Sequence, residues 1–169
     1  MGDKLTNAYD KETAFTVLEI VNTWIISADN KASILLAFIG IIVGLSSNAL
    51  TGIITNIKNV DILLIVTLVV YLVMLLITLL QIVLVFSAKV LLVDKIEPNL
   101  ISYISISQNR ELFINEAINV TESELLKMIL SQISVNSRIA VHKMKYFNTA
   151  LKFAIPLVPL TFMLLVFSN

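Results

Sequence analysis

Charged residues disappear from long intervals of this chain. None occurs from Ala32 to Ile57, between Lys31 and Lys58. A second interval, from Ile62 to Ala88, is also free of charge and stays apolar through Val93, with only Lys89 inside. A third, shorter one runs from Phe153 to Phe167 and carries Pro156 and Pro159. A helix that crosses a bilayer core needs about 20 apolar residues. The pattern therefore predicts spanning helices over 32–57 and 61–93. The second is long enough to tilt or to project from the membrane. The third predicts a span over 149–168, since membrane helices tolerate proline. Outside these intervals the periodicity turns amphipathic. Ala14, Val17, Leu18, Val21, Trp24, Ile25 and Ala28 recur at helical spacing. No glycine or proline separates them from the first span, which predicts one long helix that starts in water. Thr121-Glu122-Ser123-Glu124 has the form of a capping box. It would open a second amphipathic helix through Leu125, Ile129, Ile133, Ala140 and Met144. Pro98-Asn99 reads as a turn, Leu100 to Ser107 has strand-like composition, and Asn109 to Val120 reads as a short helix. The expected fold class is an all-α membrane protein. It has about three transmembrane helices, an amphipathic N-terminal helix over 1–31 and a helical segment over 94–148, assembled as a homo-oligomeric bundle.

Composition agrees with this reading. Of 169 residues 57% are hydrophobic and 14% charged, with a mean hydropathy of +0.91. Soluble domains carry about 25% charged residues, so an ordinary soluble enzyme is excluded. Twelve basic and twelve acidic residues cancel, which leaves no net field for duplex nucleic acid. With no cysteine and one histidine, thiolate and multi-histidine metal sites are excluded. The first 30 residues are mixed and charged, unlike a signal peptide. Lys4, Lys11 and Lys31 lie before the first span. Lys95, Arg110, Lys127, Arg138, Lys143 and Lys145 lie between the second and third, while the first connection holds only Lys58. This asymmetry places the N-terminus and the 94–148 segment in the cytoplasm, and the C-terminus outside.

Three stripes invite a function. On the first helix Glu19, Asn22, Asp29, Ser33, Ala37, Gly40, Gly44, Ser47 and Thr51 share a narrow arc. Gly40-xxx-Gly44 suits close packing of helices; the polar atoms suit a pore lining. The second span carries Thr67, Tyr71, Met74, Thr78, Gln81 and Lys89 on one face, and Gln81 is expected to face protein or water. Arg138, His142, Lys145 and Lys152 form a basic face from which Lys143 points away. That face would meet anionic lipid headgroups, or a ligand bearing phosphate. Asp29, four residues from Ser33, would anchor the helix at the interface, contact a neighbouring subunit or ring a pore mouth. No acidic residue lies in a span core, which argues against a proton relay. There is no glycine-rich phosphate loop and no GxSxG, and capping accounts for Glu122 and Glu124. Catalysis is not expected.

Trp24-x-x-x-Ala28-Asp29-x-Lys31-Ala32-x-x-Leu35-Leu36-x-x-x-Gly40 resembles the opening signature of the Pycsar effector transmembrane domain. Asn99-Leu100-Ile101 with Tyr103 and Ile106 resembles that family's segment after the second span, although the family's usual glycine is absent there. Gln132-Ile133 with Ser137, Ile139 and Lys145 resembles its long helix before the last span. The resemblance covers roughly residues 12 to 168. It implies an anti-phage effector of the bacterial inner membrane. A partner nucleotidyltransferase or cyclase would supply a nucleotide second messenger, and the effector would then permeabilise the membrane and abort infection. The Pycsar signal is a cyclic pyrimidine mononucleotide. Similar effectors of CBASS-like and Hailong-type systems answer a cyclic oligonucleotide or a short deoxyadenylate strand. The resemblance implies that Arg138, His142 and Lys145 contact the signal's phosphates, with Tyr103 or Trp24 stacked on a base. The first helix around Gly40 and Gly44 would line the axis of a homo-oligomer, and no cofactor is expected beyond the nucleotide. The alternative is a non-conducting scaffold that anchors a partner enzyme in the lipid membrane through residues 12–28.

Overall fold

The computed structural model describes residues 10–55, 61–91, 100–101, 106 and 110–167. Among the described residues the chain runs through α1 (Lys11–Thr55), α2 (Ile62–Leu91), α3 (Arg110–Asn119), α4 (Glu122–Ala154) and α5 (Leu157–Phe167). Three stretches are long and apolar enough to cross a membrane: Lys11–Ile53, Ile62–Ser87 and Glu122–Phe167. Backbone amides in hydrocarbon must be satisfied within the chain, and a helix does this locally. The expected long first helix is α1, of 45 residues. At about 1.5 Å per residue it is far longer than a ~30 Å core.

The helix ends follow from local chemistry. Asp10 caps α1, its Oδ1 accepting from the Thr13 N–H at 2.7 Å. That bond, with the Thr13 hydroxyl, holds the Asp10 carboxyl below its ordinary range. The capping box before α4 is reciprocal. The Thr121 N–H donates to Glu124 Oε2 at 2.9 Å, and the Glu124 N–H donates to Thr121 Oγ1 at 3.3 Å. The Thr121 N–H and then its hydroxyl lower the Glu124 carboxyl. Pro156 ends α4 because it has no N–H for the Lys152 carbonyl and its ring crowds that turn. The chain passes through Ile155 and Pro156 as a turn and resumes as α5. The Ile155 carbonyl accepts from Val158 at 3.3 Å, which replaces the bond that Pro159 lacks.

The strand-like reading of Leu100–Ser107 is corrected where the structure describes it. Leu100 and Ile101 form a turn and Ile106 is helical; the other residues of that segment lie outside the described set. A lone strand without a neighbour has no partners for its backbone, and no strand occurs among the described residues.

The chain forms two compact units. One comprises the N-terminal residues to Ile26 together with Lys89–Val141. Its core packs Ala14 and Leu18 of α1 against Ile129 of α4, with Ile101, Leu125, Leu126 and Ile133 around them. Lys11 pairs with Glu122 at 3.5 Å, and Asn136 donates to Asn22 at 2.7 Å. Partners rise together along both helices, so α1 and α4 run parallel in this unit.

The other unit comprises Ser27–Ala88 and His142–Asn169. On α1, the residues Ala28, Ala32, Leu35, Ile39, Ile42, Ser46, Ala49 and Ile53 are buried, at alternating steps of four and three. On α2, Leu64, Leu68, Tyr71, Leu75, Thr78, Ile82 and Val85 repeat the pattern, Leu75 being partly buried. Lys143, Phe147, Ala150, Ala154, Leu157, Thr161 and Leu164 continue it through α4 and α5, with Phe147 partly buried. This 3.5-residue repeat is the seam of coiled helices. The opposite faces are apolar too, including Ile34 at 70% exposure and Ile62 at 77%. Such a surface suits hydrocarbon.

Candidate functional site

The small-residue arc of α1 lies outside the seam. In the membrane unit Ser33, Ala37, Gly40, Gly44, Ser47 and Thr51 are exposed; in the other unit so are Glu19 and Asn22. Their hydroxyls are held by their own helix: Ser33 donates to the Asp29 carbonyl at 2.9 Å, Ser47 to Gly44 at 2.8 Å and Thr51 to Ser47 at 3.0 Å. A Cβ added at Gly40 or Gly44 would meet nothing within 4 Å. Among the described residues, no neighbouring helix comes within that distance of either glycine. The face is therefore available to lipid, water or another subunit.

The polar face of α2 does the opposite. Tyr71 and Thr78 are buried in the seam and Thr67 is buried beside it, while Met74 and Gln81 are half-buried; the Lys89 side chain lies outside the described set. Thr67 and Thr78 return their protons to the carbonyls of Leu63 and Met74 at 2.9 and 2.8 Å. The Tyr71 hydroxyl meets Ser46 Oγ at 2.9 Å, while Ser46 Oγ also reaches the Ile42 carbonyl at 3.0 Å. Ser46 has one proton. If it donates to Ile42 and accepts from Tyr71, every donor is used. Sequence reasoning marked Ser47 and passed over Ser46, because size and polarity do not separate two adjacent serines. The heptad step from Ile42 and Ala49 would have done so.

Asp29 is half-buried and accepts from Lys143 Nζ at 2.5 Å. Lys143 is buried at 2% exposure. Its divergence from the basic face thus has a cause: it occupies the seam, one step before Phe147. The pairing joins residues 114 apart, and local spacing carried no signal for it. Of the basic face, Arg138 is exposed at the end of one unit. In the other, His142 is half-buried and Lys145 and Lys152 are exposed. The His142 ring lies 6.3 Å from that of Tyr146, tilted by 44°. None of these four has a carboxylate partner among the described residues. Trp24 is 55% exposed, and Tyr103 lies outside the described set. No group of three or more potential metal ligands occurs among the described residues.

The model of the Pycsar effector protein domain family matches residues 13–168. Among curated proteins, the chain is similar to the Pycsar effector protein GmPycTM of Gulbenkiania mobilis. The two are 27% identical over 176 residues, which covers 90% of each. No solved structure matches the chain.

Proposed function

Because this chain belongs to the Pycsar effector family and is thereby an anti-phage defence effector of the membrane, we propose that it is a nucleotide-gated pore. It sits in the bacterial inner membrane as a homo-oligomer, with its N-terminus and the 94–148 segment in the cytoplasm. A partner cyclase or nucleotidyltransferase supplies the signal, for which a cyclic pyrimidine mononucleotide is the first candidate. Pore opening collapses the ion gradient and aborts infection. The observation that carries this reading is the exposed arc of α1, Ser33, Ala37, Gly40, Gly44 and Ser47, along which a Cβ at either glycine would meet no described atom within 4 Å. Subunits arranged about an axis would bring those faces together, with Asp29 and Gln81 as the further polar contributors. Arg138 supplies a bidentate phosphate contact, and His142 and Lys145 follow at one-turn steps on the same helix. Trp24 or Tyr103 stacks on the base. No residue set here suggests catalysis.

Binding of a labelled cyclic pyrimidine mononucleotide to Arg138→Glu tests the phosphate site. Loss of one charge-assisted contact lowers affinity about tenfold or more and flattens the salt dependence. An unchanged affinity removes Arg138 from the site. The scaffold reading rests on a different observation, the exposed Phe15, Ile20 and Trp24 on α1 outside the membrane unit. It predicts partner binding without flux.

A further inference from the structure

Lys143 is the one charged side chain buried among the described residues. It stands in the seam of the membrane unit, where the other buried side chains are apolar or carry an uncharged hydroxyl, as Ser46, Tyr71, Thr78 and Thr161 do. Its single described partner is Asp29, whose side chain is 37% exposed while that of Lys143 is 3% exposed. The other described ion pair, Lys11–Glu122, is open to solvent, at 43% and 79%. The two pairs differ in what their rupture costs. Exposed ions regain water at once. A buried ammonium that loses its carboxylate is stranded in a low-dielectric seam, whereas apolar replacement of both partners costs little. A pair of this kind adds little to net stability but ties the ammonium to one arrangement of the helices. Its carboxylate is partly exposed, whereas its ammonium is enclosed in the seam between α1 and α4.

We propose that Asp29–Lys143 is a latch across the seam between α1 and α4. It holds the resting packing of the membrane unit and opens when the protein changes state. The link to conduction rests on the pore reading above; the latch itself is read without it. The intact chain is reconstituted in liposomes as wild type, Asp29→Asn, Lys143→Met and the double variant. A water-soluble amine-acylating reagent is applied, and Lys143 modification is followed by mass spectrometry with exposed Lys145 and Lys152 as internal references. Lys143 of the wild type is expected to react far more slowly than the references. Asp29→Asn is expected to raise its rate about tenfold or more, because the unpaired ammonium leaves the seam for water. A rate within about twofold of wild type overturns the latch. The double variant buries no lone charge and is expected to fold, with spontaneous dye efflux about fivefold or more above wild type. If wild-type efflux responds to a cyclic mononucleotide and the double variant stays as tight as resting wild type, the latch is also overturned. Faster Lys143 labelling with no efflux from any variant supports the latch and counts against the pore.

Discussion

Replacing Gly40 and Gly44 separates what the chain needs for itself from what an assembly needs. Both lie inside a 45-residue helix, where glycine is about 0.8–1.0 kcal/mol less favourable than alanine. An added Cβ at either position meets no atom within 4 Å, so it creates no clash in the chain. The double change Gly40→Ala/Gly44→Ala is therefore expected to stabilise the isolated chain, by up to about 2 kcal/mol from helix propensity. Leucine at the same positions also fits the single chain. Between close-packed copies it would overfill the contact at roughly 1–3 kcal/mol per site. Thermal unfolding of dilute protein in detergent reads the first quantity, and light scattering of concentrated protein reads the second. The expected pattern is a higher unfolding temperature for the alanine variant, and a leucine variant that stays folded but loses its oligomer. If alanine lowers the unfolding temperature of the monomer, another part of the same chain packs on this face and the account of α1 is refuted. If leucine leaves both the assembly and the conductance intact, the face neither packs nor lines a pore.

Two further outcomes follow from the helix contacts. Tyr71→Phe removes the hydroxyl that meets Ser46 and is expected to cost about 0.6–1.7 kcal/mol; no coupling in a double-mutant cycle with Ser46→Ala would show the bond to be idle. The Glu124 carboxyl lies below its ordinary value of 4.5 in the folded chain. Its capping contribution is thus fully present above pH 4.5 and fades as pH falls through the lowered folded value. Amide exchange in the first turn of α4 is expected to quicken in that acid window for wild type, and Glu124→Gln is expected to lose the dependence.

The helices were legible because hydrocarbon forces them. Once charge is absent over the required length, a backbone has few other options. The reciprocal Thr121–Glu124 cap and the continuity of α1 from Lys11 to Thr55 were equally local signals. The choice of face was much less legible. Ile39 is buried at 2% exposure, while Ile34 and Ile41 are exposed at 70% and 62%. The residue type is identical because lipid and protein interior are both apolar. Hydropathy therefore loses the contrast that marks a buried face in water, and a 3.5-residue step through Ala28, Ala32, Ser46 and Ala49 is the signal that remains. Lys143 was recognised as diverging from Arg138, His142 and Lys145, but its partner on α1 was a matter of tertiary register. Arg138 and Lys145 are exposed, and Tyr103 lies outside the described residues.

Release of a trapped dye from liposomes bearing the purified chain decides whether this effector acts as a nucleotide-gated pore. The vesicles are tested alone, with cyclic mononucleotides, with cyclic oligonucleotides and with short oligodeoxynucleotides. A pore of the kind proposed gives efflux that one of these ligands switches, on or off, and that bulky residues at Gly40 and Gly44 alter. Vesicles that stay tight under every condition, with protein shown to be inserted and folded, contradict it and leave the membrane scaffold.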